Sequence, residues 1–377
     1  MEQKRKTSKA WILVTGVLTA VLLLAVIGYM VWEKPPEIAV EEAPDSETVE
    51  PTAAEVIAAE TDPTATPEPT ATPEPLPEGE ALETERPDGV YTMLLAGRDI
   101  TSGNTDTILV GRFDTVNHVL NLVSIPRDTL LNIGTEVRKI NSIYTASLNT
   151  GGNGIDSLLL QVQWLTGFRP DCYAVLDLNT FVEVIDELGG VDFDVPEDME
   201  YMFFDIAPRL YVHLYPGMQH LDGLQAMTLC RYREGYVSGD YERIEMQHAF
   251  LKACAEQFIT LGNIPHAGAV IRILSENLDT NLSAGNIAWF MRQLMQCISE
   301  DIRTYTMPSE PRNLMGYSYS VANLGDWLTM INGLLNPLGR EIGVQDLNMV
   351  YINGNGFAAT QGYLEGDWYF SGYPIGD

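Results

Sequence analysis

Basic residues are scarce in this 377-residue sequence: 22 Lys and Arg stand against 52 Asp and Glu, for a formal net charge of −30. That balance excludes a nucleic-acid reader, which needs a basic surface to meet phosphates. Cysteine is scarce too: Cys172, Cys230, Cys254 and Cys297 are the four present, with no Cys-x-x-Cys among them. A zinc ribbon and a thioredoxin-like pair are thereby excluded, and buried free thiols are expected. The five histidines (118, 213, 220, 248 and 265) show no metal-ligand spacing such as His-Glu-x-x-His. There is no Gly-x-x-x-x-Gly-Lys-Ser/Thr loop for a nucleotide and no Gly-x-Ser-x-Gly elbow for a nucleophile. GGNG at 151–154 lacks the spacing of a dinucleotide loop.

Long hydrophobic runs are limited to one. Ala10–Trp32 carries no charge over 23 residues, enough to cross a hydrocarbon core of about 30 Å. Trp11, Tyr29 and Trp32 stand near its ends, where amphipathic rings favour the interface. Lys4, Arg5, Lys6 and Lys9 precede it, so residues 1–9 read as a cytoplasmic tail and everything after Trp32 as external. A cleaved signal peptide fits less well, because no small-residue cleavage site follows Gly28. The expectation is a single-pass membrane protein whose C-terminal domain is extracytoplasmic.

Residues 33–88 read as a disordered acidic linker. Seventeen acidic residues face Lys34 and Arg86, and TATPEP occurs at 64–69 and again at 70–75. Such a composition buries too little apolar surface to offset ordering entropy, and its like charges repel.

Strand and helix patterns alternate from Gly89 onward. Segments 90–97, 107–113 and 118–125 are short apolar runs, the last two joined by a turn-like DTVNH. Residues 154–167 and 179–190 have helical spacing and end on glycine. Residues 172–178 read as a strand and 191–196 alternate like an edge strand. The stretch 220–230 opens as a helix, and 244–262 is a long one. The fold class expected is α/β, with helices and strands layered around a mixed sheet. Residues 89–300 form the main domain, and 301–377 an annex of it.

The chemistry-bearing residues lie at strand ends and loops. Asp99 follows one strand and Asp106 precedes the next, and two carboxylates there suit a hard cation such as Mg²⁺, although aspartate is equally an ordinary turn and cap residue. Arg127 follows an apolar strand closed by Pro126. Arg231 and Arg233 are two apart, so in extended chain they point the same way. Guanidinium forks suit phosphate oxygens, although an arginine beside Asp240 or Glu242 is also an ordinary surface ion pair.

Six segments stand out together: NTDTILVGRFD (104–114), VSIPRDT (123–129), KINSIY (139–144), LGGVDFDVP (188–196), PGMQHLDGLQAM (216–227) and RYREGYVSGDYERIEMQ (231–247). In this order they resemble the LytR-CpsA-Psr family of membrane-anchored cell-wall enzymes of Gram-positive-type bacterial envelopes. The resemblance implies a three-layer α/β/α sandwich. It also implies a Mg²⁺-assisted phosphotransferase that moves a glycopolymer from a polyprenyl-pyrophosphate carrier onto peptidoglycan. By the same resemblance Asp99 and Asp106 are metal-associated, and Arg127, Arg231, Arg233 and Arg243 contact the pyrophosphate. Lys139, Asp240 and Gln247 match further ligand-binding positions, with Asp106, Arg127, Arg231 and Arg233 the catalytic set. The carrier's lipid tail is expected in an apolar groove between the sheet and helices such as 154–167 and 244–262. Asn104 departs from the family's frequent arginine, and Met246 and His248 stand where Arg and Gln are common. A polyprenyl-pyrophosphate hydrolase and a non-catalytic polyprenyl-phosphate-binding regulatory protein are the alternatives.

Overall fold

A computed structural model of the chain describes residues 34–38, 86–99, 102–203, 210–233, 240–261, 264–314, 316–354 and 356–361. The strands are β1 (Val90–Arg98), β2 (Thr105–Asp114), β3 (Val119–Ser124), β4 (Cys172–Asp177), β5 (Val191–Val195), β6 (Met199–Phe203) and β7 (Leu210–Leu214), then β8 (Gly217–Leu221), β9 (Asp279–Thr280), β10 (Ile302–Thr306), β11 (Ser309–Leu314), β12 (Tyr317–Ala322), β13 (Val350–Asn353) and β14 (Gly356–Ala359). The helices are α1 (Ile143–Asn149), α2 (Gly154–Thr166), α3 (Leu178–Glu187), α4 (Gly223–Arg231), α5 (Asp240–Leu261), α6 (Ile264–Asn277), α7 (Ala284–Leu294) and α8 (Leu324–Met330).

The central sheet has the order β10-β3-β2-β1-β4-β9. It is mixed: β1, β2 and β3 are antiparallel neighbours, while β4 joins β1 and β10 joins β3 in parallel. The DTVNH turn does close the β2–β3 pair, with His118 at a φ of 57°, a conformation that short turns demand. Alternation along the strands then sorts the side chains into two faces. Leu94, Ala96, Ile108, Val110, Val123 and Ile125 are buried with Leu158, Val162 and Leu165 of α2 and Trp327 of α8. Met93, Leu95, Leu109, Phe113 and Leu122 point the other way, toward Leu251 and Ala255 of α5 and Phe290 and Leu294 of α7. Helices therefore cover both faces of a mixed α/β fold.

Helix ends follow local chemistry. Asn153 caps α2 by accepting from the Ile155 amide at 3.2 Å. Gly167 ends the helix at a φ of +81°, where an added Cβ would collide with Ile342. Asp222 and Gln225 form a capping box that starts α4 at Gly223. The helix expected from 220 consequently begins three residues late: His220 and Leu221 belong to β8, which pairs with β5. Segment 191–196 is thus a partner in a separate two-stranded ribbon, and β6 and β7 form a second.

Residues after 300 complete the same core. Beyond β10, which fills a sheet edge, the indole of Trp327 is fully buried and donates to the Leu165 carbonyl at 2.7 Å. Strands β11–β14 form a four-stranded sheet of their own. All four cysteines are free thiols. Burial pushes the Cys172 and Cys230 thiols up to about 12 and Cys297 to about 11, and raises Cys254 as well. Among the described residues no helix is long and apolar enough to cross a membrane, and the run 10–32 lies outside them.

Candidate active site

A register shift builds the site. Gly97 pairs with Thr107 but Arg98 pairs with Thr105, so Asp106 is the extra residue of a β-bulge at the end of the β1–β2 ladder. A bulge re-aims a side chain and frees backbone groups from the ladder. Both consequences are seen. The Asp106 carboxylate meets Arg127 Nη1 at 3.3 Å, Asn141 Nδ2 at 3.3 Å and Arg233 Nη2 at 3.7 Å. Its backbone carbonyl accepts from Arg243 Nη2 at 3.3 Å.

Asp99, on the other side of the short turn, is tied more tightly. Its Oδ1 accepts from the Ser102 amide at 2.8 Å and Oδ2 from Arg231 Nη2 at 3.2 Å. Those contacts and the Asp99–Asn104 backbone bond of 2.9 Å fold the turn back on itself. Asn104 stands in that turn, its amide donating to Ser102 Oγ at 3.2 Å.

Each arginine is placed by a different element. Arg127 follows β3, on a loop whose neighbours are strapped to β12: Leu130 N donates to Ser320 O, and Ser320 N to Asp128 O, both at 2.9 Å. Arg231 is the last residue of α4, and Arg233 lies just past the extended Tyr232. The two-apart pair therefore straddles a helix end instead of sharing one extended segment. The helix persists because Ala226, Met227 and Leu229 are buried, and it stops where Tyr232 turns extended. Arg231 also lies over two rings of β6, with its guanidinium carbon 5.6 Å from the Tyr201 centroid and 5.7 Å from that of Phe203. Arg243, in the first turns of α5, is 3% exposed.

Lys139 and Gln247 sit at the margins. Lys139 Nζ bonds Asp128 Oδ1 at 2.9 Å and lies over the Tyr319 ring at 5.7 Å. Gln247 bridges α5 to its surroundings, accepting from Thr107 Oγ1 at 3.4 Å and donating to the Cys230 carbonyl at 3.0 Å. Asp240 opens α5, and its side chain lies outside the described residues.

Sequence reasoning missed three neighbours. Asn141 holds the Asp106 carboxylate, and its backbone amide donates to the Arg127 carbonyl at 3.1 Å. Its signal was the Lys-x-Asn spacing of KINSIY. Asp128 anchors Lys139 and approaches Arg127 Nε at 4.0 Å. His248 of α5 bonds Ser124 Oγ at 2.7 Å, and burial holds its imidazole pKa below the usual histidine value. The apolar surface beside the site is one-sided. The sheet face toward α2 is closed by fully packed side chains, whereas Met93, Leu95 and Leu109 on the α5 face are only partly buried.

The LytR_cpsA_psr family profile matches residues 55–332. The polyisoprenyl-teichoic acid–peptidoglycan teichoic acid transferase TagV of Bacillus subtilis is 28% identical over 180 residues, 48% of this chain and 45% of that protein. Biofilm regulatory protein A of Streptococcus mutans is 22% identical over 276 residues, covering 70% of this chain and 66% of its own. Regulatory protein MsrR of Staphylococcus aureus is 28% identical over 229 residues, 59% of this chain and 65% of its own. The chain thus spans less than two thirds of the length of each of these relatives. The crystal structure of B. subtilis TagV shares the fold with a TM-score of 0.55 at 24% identity, over 65% of this chain and 95% of that one. TagT bound to LIIa-WTA does so with a TM-score of 0.53 at 20% identity, over 67% and 92%. Profile and fold agree over most of the sequence, and the chain belongs to the LytR_cpsA_psr family.

Proposed function

We propose that this chain is a membrane-anchored phosphotransferase that moves a glycopolymer from a polyprenyl-pyrophosphate carrier onto peptidoglycan. The observation that carries the reading is the convergence of four arginines on two aspartates: Arg127 and Arg233 on the Asp106 carboxylate, Arg243 on the Asp106 backbone carbonyl, and Arg231 on the Asp99 carboxylate. A pyrophosphate presents several charged oxygens, and planar guanidiniums bond them in pairs. TagV is named for transferring teichoic acid to peptidoglycan, and TagT is solved with LIIa-WTA, which supports the same substrate class.

In the reaction an acceptor hydroxyl attacks the glycan-bearing phosphorus, in line with the bridging oxygen of the pyrophosphate. The bond from that phosphorus to the bridging oxygen breaks, and its electron pair leaves with polyprenyl phosphate. The arginines stabilise charge as it grows on the leaving group. The hydroxyl proton passes to Asp106, whose carboxylate is held by longer contacts than that of Asp99. Asp99 and Asp106 offer oxygen donors only, the set Mg²⁺ prefers. These two residues would hold the ion, which would supply further neutralisation of the pyrophosphate. The partly buried Met93, Leu95 and Leu109 would take the prenyl chain, and the run 10–32 would keep the domain with its lipid substrate.

The test is product analysis. The full chain is incubated with a polyprenyl-pyrophosphate-linked glycan, Mg²⁺ and peptidoglycan, and the products are followed by mass spectrometry. Glycan phosphate on the acceptor is the expected result. Free glycan phosphate would indicate a hydrolase, and unconsumed bound lipid a carrier-binding protein.

A further inference from the structure

We propose that residues 34–38 are a strap that docks on the domain at the point where the linker returns, holding the domain against the membrane with its arginine site facing outward. The inference rests on residues 10–32 being the membrane anchor.

Lys34, Pro35, Pro36 and Glu37 line one concavity with Asp171, Asn281 and Asn286. Asn286 Nδ2 donates to the Lys34 carbonyl at 2.9 Å. That donor is itself fixed, since Asn286 Oδ1 accepts from Ser283 N at 2.9 Å and Ser283 Oγ at 2.7 Å in the capping box of α7. Asn281 braces the opposite wall: its Nδ2 donates to the Asp171 carbonyl at 2.8 Å and its Oδ1 accepts from the Tyr173 amide at 3.0 Å. The Pro35-Pro36 pair has little backbone freedom to lose, so a weakly bonded segment can still dock there.

The same Asp171 receives the far end of the linker. Both of its carboxylate oxygens accept from the guanidinium of Arg86, the one to Nη1 at 2.6 Å. Arg86 Nε donates to the Val90 carbonyl at 3.0 Å, which fixes it at the start of β1. Residues 38 and 86 therefore leave from and return to one corner of the domain.

The corner lies at the foot of the sheet. Asp171 is level with Thr92, its amide donating to the Thr92 carbonyl at 3.1 Å. Asp99 lies seven residues further along β1, about 23 Å at 3.3 Å per residue. Glu33 alone separates Trp32 from the strap. A bare tether of residues 33–88 would instead place the domain at a coil distance of roughly 40 Å and in any orientation. The strapped arrangement puts the foot of the sheet at the bilayer and the arginines above it, opening toward an acceptor in the wall.

Spin labels at Glu37→Cys and Val116→Cys in the detergent-solubilised full chain test the docking by electron–electron distance measurement. Val116 is 65% exposed, and burial raises the pKa of all four native thiols, so labelling favours the introduced pair. One narrow distance is expected, broadening in Pro35→Gly/Pro36→Gly and in Asn286→Ala. The proline variant leaves the domain untouched, so it serves even if Asn286→Ala weakens α7. A broad distribution in the parent would overturn the strap. In phosphatidylethanolamine–phosphatidylglycerol vesicles, energy transfer from a dye at Val116→Cys to labelled lipid should be unchanged when residues 39–85 are replaced by a short Gly-Ser linker. A rise on that replacement would mean these residues set the height, against the proposal. Flotation of the full chain with the vesicles is scored separately. A chain that fails to float but keeps the narrow distance has lost the anchor reading, not the docking.

Discussion

Arg243 reaches from α5 to the backbone carbonyl of Asp106, with Nη2 at 3.3 Å. That carbonyl is available because the bulge removes it from the ladder. Arg243 is buried, and the bond ties the helix carrying the signature to the strand carrying the carboxylate. Arg243→Met should leave a buried acceptor unsatisfied and cost about 1–3 kcal/mol of stability. Urea unfolding measures it. Transfer should fall about 100-fold or more, and Arg243→Lys should not restore it, because a single ammonium cannot reproduce the fork.

Arg231 leans on Tyr201 and Phe203. Tyr201→Ala should loosen the guanidinium by about 0.5–2 kcal/mol. Steady-state kinetics should show this as a rise in KM with kcat nearly unchanged, since the contact acts on bound substrate and transition state alike. A fall in kcat alone would contradict it.

Asp99→Asn keeps the Ser102 turn but removes one of the two anionic oxygen donors offered to Mg²⁺. The Mg²⁺ concentration for half-maximal transfer should rise about tenfold or more. Chelation with EDTA should abolish transfer in the parent chain, and added Mg²⁺ should restore it. Chelator-resistant transfer would mean that no exchangeable metal takes part in the reaction.

His248 supplies a pH dependence. Its folded-state pKa is depressed by burial, so as pH falls the unfolded chain takes up the proton first. Stability is fully present above about pH 6.5 and declines as pH drops from there toward the folded-state value. In His248→Gln, urea midpoints measured from about pH 7.5 to 5.5 should decline less steeply than in the parent.

Trp327 tests whether the residues after 300 are part of one folding unit. Its ring is fully buried among residues of α2 and the central sheet. Trp327→Ala should cost about 3–5 kcal/mol and lower the single thermal transition of the whole domain. Unfolding of the C-terminal part alone would show it to be separate.

The three leading strands were legible because each is a short apolar run bounded by turn residues, and α5 because its length and spacing are helical. What joins them was not. Strand β10 comes from nearly 180 residues beyond β3, and such pairings leave no local pattern. The start of α4 was misplaced because His220 and Leu221 fit a helix by spacing, while the Asp222–Gln225 box sets the boundary. In the site, Asp106 and Arg127 could be picked out as charged residues beside strand ends. The bulge that aims Asp106 depends on a skipped partner opposite Gly97 and Arg98, which no spacing reports. Asn141 and Asp128 are short polar residues of the kind every turn uses, and tertiary contact alone gives them their roles.

The proposed function stands or falls with the action of the arginines on a bound pyrophosphate during transfer. The most direct measurement compares the parent chain with Arg127→Ala in a single turnover, following glycan phosphate on peptidoglycan and, in the same samples, retained polyprenyl lipid. Arg127→Ala is expected to hold lipid still but to transfer about 100- to 1,000-fold more slowly. Equal transfer rates in the two proteins would contradict it.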